Sequence, residues 1–143
     1  AAPPHTRSFV FVDALDEVTT LLEDTGHQIE PWQLLRNTNV IGETGHSDYG
    51  AVFREFVDRI GSDLSNRATV LITGDARSNY RPPGSAAFAE LARACRSVFW
   101  LNPEPRDQWG QHDSDVEAYL PHCAAAFEVR TLEQLEAAIE RIL

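Results

Sequence analysis

The clearest pattern of apolar and polar positions predicts a helix from Tyr49 to Ile60. Apolar residues recur there every three or four positions, as on the inner face of a helix that packs against a core. They are Tyr49, Val52, Phe53, Phe56, Val57 and Ile60. Ser47 or Asp48 can cap the start of this helix, and Gly61 can end it. We expect Phe56 to be buried against a sheet.

A short run without charged residues, Thr69 to Thr73, predicts a strand that is buried on both faces. Gly74 ends the run, and Asp75 follows at its carboxyl end. Ligands of open α/β sheets bind beyond the carboxyl ends of the strands, so Asp75 is a candidate site residue. The alternative is a structural Asp75 that caps the loop by accepting hydrogen bonds from backbone N–H groups.

The rest of the chain alternates predicted strands and helices. Apolar runs predict strands at residues 8–13, 97–101 and 125–129. Helices are predicted from Pro31, from Ser85, around residues 116–120 and over residues 131–143, where the last should dock firmly. The order of strand, helix and strand over residues 69–101 predicts a βαβ unit.

Residues 15–22 fit either a helix or a strand. Their apolar spacing suits a helix, but the β-branched Val18, Thr19 and Thr20 favour a strand. We expect a strand antiparallel to the one at residues 8–13. The prolines before that first strand predict an extended arm.

Length and charge limit the classes of function. A chain of 143 residues is most simply a single domain. Its net charge of −10 argues against nucleic-acid binding, which depends on Lys and Arg. No apolar run approaches the roughly 18 residues of a membrane-spanning helix. Cys95 and Cys123 lie in apolar segments without metal-ligand spacing, which indicates a reduced, cytoplasmic protein.

The segments HSDYGAVFREF, VLITGDARSNYRPPG, VFWLNPEP, PHCAAAFEV and TLEQLEAAI follow one another along the chain. Together they resemble the von Willebrand factor A (VWA) domain of CoxE-like proteins, over nearly the whole chain from Phe9 onward. The resemblance implies a Rossmann-like, three-layer α/β/α fold with a mostly parallel sheet.

The resemblance also implies a metal-ion-dependent adhesion site. That site has an Asp-x-Ser-x-Ser motif after the first strand, a Thr in a second loop and an Asp in a third. Ser47 stands at the position of the Thr, and Asp75 at that of the last Asp. The Asp-x-Ser-x-Ser motif is absent, because the chain opens at what would be the family's second strand. We expect a truncated domain rather than a degenerate member, with Mg²⁺ bound in the full-length protein and weakly or not at all by this chain.

Loss of the first strand would have a structural consequence. In the family it lies between the strands that match residues 8–13 and 69–73, so two sheet edges would be exposed. Unpaired backbone groups at such edges are costly when buried, and they invite pairing. We therefore also expect self-association, or a strand supplied from elsewhere.

Candidate contact residues lie around these positions. Arg77, Tyr80 and Arg81 follow Asp75, and two guanidinium groups there could receive a partner's carboxylate. The alternative is a solvated loop. Further candidates for partner binding are His46, Asp48 and Trp109, of which Trp109 is expected to be exposed in its polar loop, whereas Trp100 is expected in the core.

The resemblance implies a non-enzymatic interaction module, an accessory factor that works with a MoxR-type AAA+ ATPase in metalloenzyme maturation. The alternative is a small metal-assisted α/β hydrolase that uses Asp75 and His46. The sequence carries no Gly-x-Ser-x-Gly turn and no phosphate-binding glycine motif, which disfavours that alternative.

Overall fold

The structure is a computed structural model that describes residues 5–143. The arm predicted at the N-terminus has its residues 1–4 outside this range. The strands are β1 (Phe9–Phe11), β2 (Leu15–Glu17), β3 (Thr69–Thr73), β4 (Ser97–Asn102) and β5 (Ala125–Glu128). The helices are α1 (Thr19–Asp24), α2 (Pro31–Arg36), α3 (Tyr49–Ile60), α4 (Ser85–Ala94), α5 (Val116–Tyr119) and α6 (Leu132–Ile142).

The strands form two separate sheets. β1 and β2 make an antiparallel hairpin, in which Phe11 lies opposite Leu15. β3, β4 and β5 make a parallel sheet in that order, with Ile72 beside Trp100 and Trp100 beside Ala126. The helix α4 connects β3 to β4, so the predicted βαβ unit is confirmed.

The core lies on the Trp100 face of the parallel sheet. The Trp100 ring stacks on Tyr119 of α5, with 5.1 Å between ring centroids and 10° between ring planes. Phe53 of α3 and Phe88 of α4 pack edge-on to the same indole at about 6 Å. Side chains of three helices thus converge on one buried strand position, and Trp100 is in the core as predicted.

The helix α6 lies on the opposite face of the parallel sheet. Phe127 pairs in register with Leu101, the residue after Trp100. Because side chains alternate along a strand, the Phe127 side chain points to the face opposite Trp100. Arg141 of α6 lies 5.2 Å from the centroid of the Phe127 ring. The parallel sheet therefore has helices on both faces, which confirms the predicted three-layer α/β/α fold.

The C-terminal helix covers its face less completely than its apolar stripe predicts. Thr131 caps α6 as expected, by accepting a hydrogen bond from the Gln134 N–H at 3.2 Å. Ala138 is the buried residue of this helix, whereas Leu132 is 80% exposed. The prediction of firm docking is wrong for Leu132 and for Ile139, which is 41% exposed.

The hairpin of β1 and β2 is attached to the body through α3. The rings of Phe9 and Phe56 meet edge-on at 5.3 Å, and those of Phe11 and Tyr49 do the same. Within residues 5–143, β1 pairs with β2 and β3 pairs with β4, and no hydrogen-bonded ladder joins β1 to β3. Each of these two strands therefore has an open edge.

The strand β3 is not buried on both faces as predicted, because Thr69, Leu71 and Thr73 are exposed.

Two further local predictions need correction. Residues 15–22 are not one strand, because the strand ends at Glu17 and α1 begins at Thr19. The Thr19 hydroxyl accepts a hydrogen bond from the Ser8 N–H at 2.9 Å and donates to Glu17, which fixes the chain at this change of structure. Phe56 is only half-buried, since it packs at the periphery against Phe9.

Two findings bear on the environment of the chain. Cys95 is buried, Cys123 is half-buried, and both are free thiols. None of the helices in the described part of the chain is long and apolar enough to cross a lipid bilayer.

Candidate functional site

The structure brings together the two loops that carry Ser47 and Asp75. Ser47 precedes α3, and Asp75 lies just beyond the carboxyl end of β3. The Asn79 side chain donates from Nδ2 to the carbonyl oxygen of Ser47 at 3.1 Å. The Tyr49 hydroxyl donates to Oδ1 of Asp75 at 3.3 Å. The position at the end of a strand and these contacts define the candidate site.

One oxygen of Asp75 is used within the chain. Its Oδ1 accepts from the Arg77 N–H at 2.9 Å as well as from the Tyr49 hydroxyl. This is the loop-capping geometry that the sequence left open as an alternative. Its Oδ2 accepts no hydrogen bond from residues 5–143, so one carboxylate oxygen stays available to a ligand.

The buried hydroxyl of Tyr49 stays protonated beside this carboxylate. Burial raises the pKa of Tyr49 well above its usual range, and the negative charge of Asp75 raises it further. Tyr49 therefore acts as a hydrogen-bond donor that orients Asp75 from the core side.

Asp48 is the residue that caps α3. Its Oδ1 accepts from the Ala51 N–H at 3.1 Å, and its Oδ2 lies 3.6 Å from Nη1 of Arg81. Asp48 and Arg81, both predicted to bind a partner, thus hold the helix start and the loop together. Because Asp48 takes the cap position, the hydroxyl of Ser47 is not needed for it.

Arg77 binds carboxylates of its own chain. Its Nε and Nη2 donate to the two oxygens of Glu104 at 2.7 and 2.9 Å. Its Nη1 donates to Asp113 at 2.9 Å and to the carbonyl oxygen of Gln111 at 3.1 Å. A partner's carboxylate would have to displace these groups, so Arg77 serves to hold three loops together.

The loop after β3 carries unusual backbone angles. Ala76, Asn79 and Tyr80 have φ values of 61°, 55° and 61°, in the left-handed region that residues with a Cβ seldom adopt. Two contacts keep the loop in place. Ser78 is buried and donates to a carboxylate oxygen of Asp115, and the Asn79 N–H donates to Asp113 Oδ2 at 3.0 Å. The loop presents Tyr80, which is 78% exposed.

Two glycines let this loop touch α3 backbone to backbone. A Cβ on Gly50 would collide with the carbonyl oxygen of Pro82 and would lie 3.0 Å from the Gly84 nitrogen. A Cβ on Gly84 would lie 2.7 Å from the Gly50 Cα, and Gly84 has a φ of 67°. No larger residue fits at either position without a shift of the backbone.

Trp109 was predicted to be exposed, and this prediction is wrong, because only 7% of its surface is accessible. Its Nε1 donates to the carbonyl oxygen of Glu104 at 3.0 Å, and Arg106 lies 4.2 Å from the ring centroid. The indole packs into the core cluster, so little of its surface is accessible to a partner.

The sequence reasoning missed several residues that shape the site. Glu104 and Asp113 hold Arg77, as described, and Asp13 anchors the loop before Ser47. The Asp13 carboxylate accepts from the N–H groups of Gly42, Thr44 and Gly45 at 2.6 to 3.1 Å. These bonds hold the pKa of Asp13 well below its usual range. Two features of the sequence could have indicated the role of Asp13: its position just after the first strand, and the glycine-rich loop that it binds.

His46 is exposed, and no hydrogen bond joins its ring to Asp75 in the described structure. Ser47 and Asp75 offer a hydroxyl and a carboxylate, the hard oxygen ligands that Mg²⁺ prefers. Residues 5–143 contain no group of three His, Cys, Asp or Glu side chains placed to hold a metal ion. The two residues fit Mg²⁺ in chemistry but form only part of a coordination sphere.

The layered α/β fold, with candidate residues at the carboxyl end of its parallel sheet, defines a domain of the VWA type. A family model described as VWA domain containing CoxE-like protein matches residues 1–138. The chain therefore belongs to this family and is a VWA-type interaction module. No curated protein and no solved structure matches it significantly.

Proposed function

We propose that this chain is a non-enzymatic protein-interaction module whose binding edge is formed by the loops of Ser47, Asp75 and Tyr80. The observation that carries the proposal is the meeting of the Ser47 and Asp75 loops at the carboxyl end of β3, with Asp75 Oδ2 left available. Exposed His46 and Tyr80 border the same edge and provide contact surface. Asp48, Arg77 and Arg81 support it from within.

The proposed role of metal follows from the family. With Mg²⁺ bound, Ser47 and Asp75 would contribute two of its oxygen ligands, and the ion would attract a partner's acidic side chain. Two neighbouring residues orient these ligands. Tyr49 fixes one oxygen of Asp75 by a hydrogen bond, and Asp48 caps α3, which leaves the hydroxyl of Ser47 free of that role.

The proposed partner is a MoxR-type AAA+ ATPase, and the proposed setting is metalloenzyme maturation in the cytoplasm. Family membership supports the partner, and the two free cysteines support a reducing compartment. A metal-assisted hydrolase would need His46 and Asp75 to act together, and the absence of a hydrogen bond between them within residues 5–143 favours the interaction module.

Co-purification with a tagged MoxR-type ATPase from the same organism tests this proposal. Asp75→Asn keeps an oxygen to accept from Arg77 and Tyr49 but removes the charge, so it should abolish co-purification while the protein stays folded. Asp58→Asn is the matched control, because Asp58 is exposed on the far half of α3, where it pairs with Arg54 at 3.4 Å. Unchanged capture of the Asp75→Asn protein, or equal loss in the control, would contradict the proposal.

Self-association through sheet edges is a second proposed interaction. Among the described residues, β3 has one paired edge, its sequence carries no charge to block pairing, and its Leu71 is 52% exposed. Light scattering behind size exclusion should then show a dimer that Leu71→Lys disrupts. Leu132→Lys, at a leucine of α6 that is even more exposed, should leave it intact. A monomer at all concentrations would refute this proposal.

A further inference from the structure

Arginines of this chain lie over the rings of four aromatic residues. Each guanidinium carbon is 4.2 to 5.9 Å from a ring centroid, in the pairs Arg7 with Phe9, Arg36 with Trp32, Arg106 with Trp109 and Arg141 with Phe127. This is the range in which the face of a ring attracts a cation. The chain thus uses its scarce cations to cover aromatic faces.

Tyr80 differs from these rings. It is the most exposed aromatic residue in the described part of the chain, and no Arg or Lys of residues 5–143 lies over its face. Its neighbour Arg81 pairs with Asp48, and Arg77 is held by Glu104 and Asp113. Both neighbouring arginines therefore pair with carboxylates and not with the ring of Tyr80.

The position of Tyr80 is fixed before any partner arrives. Asn79 is held through both its backbone N–H and its side chain, and the Arg81 N–H donates to the Ser78 carbonyl oxygen at 3.1 Å. The buried Tyr119 hydroxyl also donates to the carbonyl oxygen of Pro83, at 2.7 Å. Because a contact on a rigid loop loses little entropy on binding, an aromatic ring there is well placed to anchor a partner.

The charge around the loop selects the kind of group that fits. The carboxylates of Asp48, Asp75, Asp113 and Asp115 outnumber the guanidiniums of Arg77 and Arg81, which pair with two of them, and the chain as a whole carries a net charge of −10. An anionic partner group at the ring would meet this field unfavourably, whereas a cation would be attracted by both the field and the ring.

We propose that the face of Tyr80 docks a cationic side chain, Arg or Lys, of the protein partner. The proposal rests on the proposed function in one respect: Tyr80 lies on the same edge as Ser47 and Asp75. We therefore expect the partner to carry a basic residue next to the group that contacts Asp75.

The test uses two short peptides as probes and the ¹⁵N-labelled chain without added metal, at constant ionic strength. The peptide acetyl-Gly-Arg-Gly-amide should shift the amide signals of Asn79–Arg81 in a saturable way. The peptide acetyl-Gly-Glu-Gly-amide should not. Neither peptide titration uses metal, an Asp75 variant or the ATPase. The titrations can therefore fail while co-purification succeeds, and they can succeed while co-purification fails.

Variants at Tyr80 identify the ring as the cause. Tyr80→Phe should bind the arginine peptide as the unmodified chain does, whereas Tyr80→Ala should bind it about two- to five-fold more weakly. Tyr80→Asn should behave like Tyr80→Ala and is the safer variant, because Asn tolerates the left-handed backbone at this position. Trp32→Ala is the control at another exposed aromatic residue, one whose ring already carries Arg36.

Equal binding of the arginine peptide by the unmodified, Tyr80→Ala and Tyr80→Asn chains would overturn the proposal. So would shifts confined to other parts of the chain. A stronger response to the glutamate peptide would also overturn it, and would point instead to a loop that receives carboxylates.

Discussion

Arg77 and Glu104 form a two-pronged ion pair, with 2.7 Å between Nε and Oε1 and 2.9 Å between Nη2 and Oε2. The pair joins the loop after β3 to the loop after β4. Its side chains are 23% and 26% exposed, so solvent screens it less than it screens a surface pair. The candidate site is therefore held together by charge as well as by packing.

Glu104→Gln should destabilise the protein by about 1.5 to 3 kcal/mol, because it removes a charged hydrogen-bond acceptor from a partly buried guanidinium. Glu90→Gln is the matched control, since Glu90 pairs with Arg54 at 2.8 Å on the surface. It should cost less, because solvent screens that exposed pair. Urea unfolding of both variants measures the difference, and similar costs would mean that the Arg77 pair is no stronger than a surface pair.

Asp75→Ala should cost about 1 to 2 kcal/mol, because the Arg77 N–H and the Tyr49 hydroxyl lose their acceptor. Asp75→Asn should cost less, since its amide oxygen can replace Oδ1. Urea unfolding of the two variants tests this order. A cost for Asp75→Ala below about 0.5 kcal/mol would show that these hydrogen bonds do not hold the loop.

Millimolar Mg²⁺ should leave the thermal midpoint of this chain unchanged. Ser47 and Asp75 are too few ligands to compete with the hydration of the ion. Thermal unfolding with Mg²⁺, with Ca²⁺ and with EDTA measures the effect. Saturation to a hundredfold over the dissociation constant would stabilise the fold by about 2.7 kcal/mol, and a shift of that size would refute the prediction.

Phe53→Ala should cost about 3 to 5 kcal/mol, because the ring is 3% exposed and packs 4.8 Å from Phe88 and 5.1 Å from Tyr119. Phe56→Ala, one helical turn further along, should cost only about 1 to 2 kcal/mol, since that ring is half-buried against Phe9. Denaturant unfolding compares the two variants. Equal costs would show that the hairpin is as tightly packed as the core.

Cys123 should react slowly with a thiol reagent at pH 8. Burial raises the pKa of its thiol from an ordinary value near 9 to about 11, which lowers the thiolate fraction about 100-fold. The neutral thiol contributes fully to the stability of the fold below pH 9, and this contribution falls as the pH rises through the raised pKa of about 11. In a Cys95→Ala background, the modification rate of native protein should be at least about 10-fold below that of unfolded protein. Equal rates would place Cys123 in solvent.

The regular elements could be predicted because their signals are local. The helix α3 was found from apolar residues that face one side, and β3 from an uncharged run that ends at Gly74. Residues 15–17 form the predicted strand antiparallel to β1, but the prediction is wrong from Thr19 onward, where a helix begins although β-branched Val18 and Thr19 favour a strand. At that point the Thr19 hydroxyl accepts a hydrogen bond from the Ser8 N–H. That bond joins two segments, and local propensity does not report it.

The site was predicted less completely because its contacts join distant parts of the chain. The sequence predicts that Arg77 binds a partner, but Arg77 instead binds Glu104 and Asp113. These two residues lie 27 and 36 positions further along the chain, beyond the reach of local patterns. The polar neighbours of Trp109 predict an exposed side chain. Its indole is nevertheless buried, because it donates to the carbonyl oxygen of Glu104 and packs against Arg106 within its own loop. The end-of-strand position of Asp75 was foreseen, since it depends only on where β3 stops.

The close approach of Gly50 and Gly84 has a mechanical consequence. With no side chain between them, the joint between the loop after β3 and the first turn of α3 contains nothing compressible. A partner that displaces the loop at Tyr80 should therefore also displace the first turn of α3, just beyond Ser47.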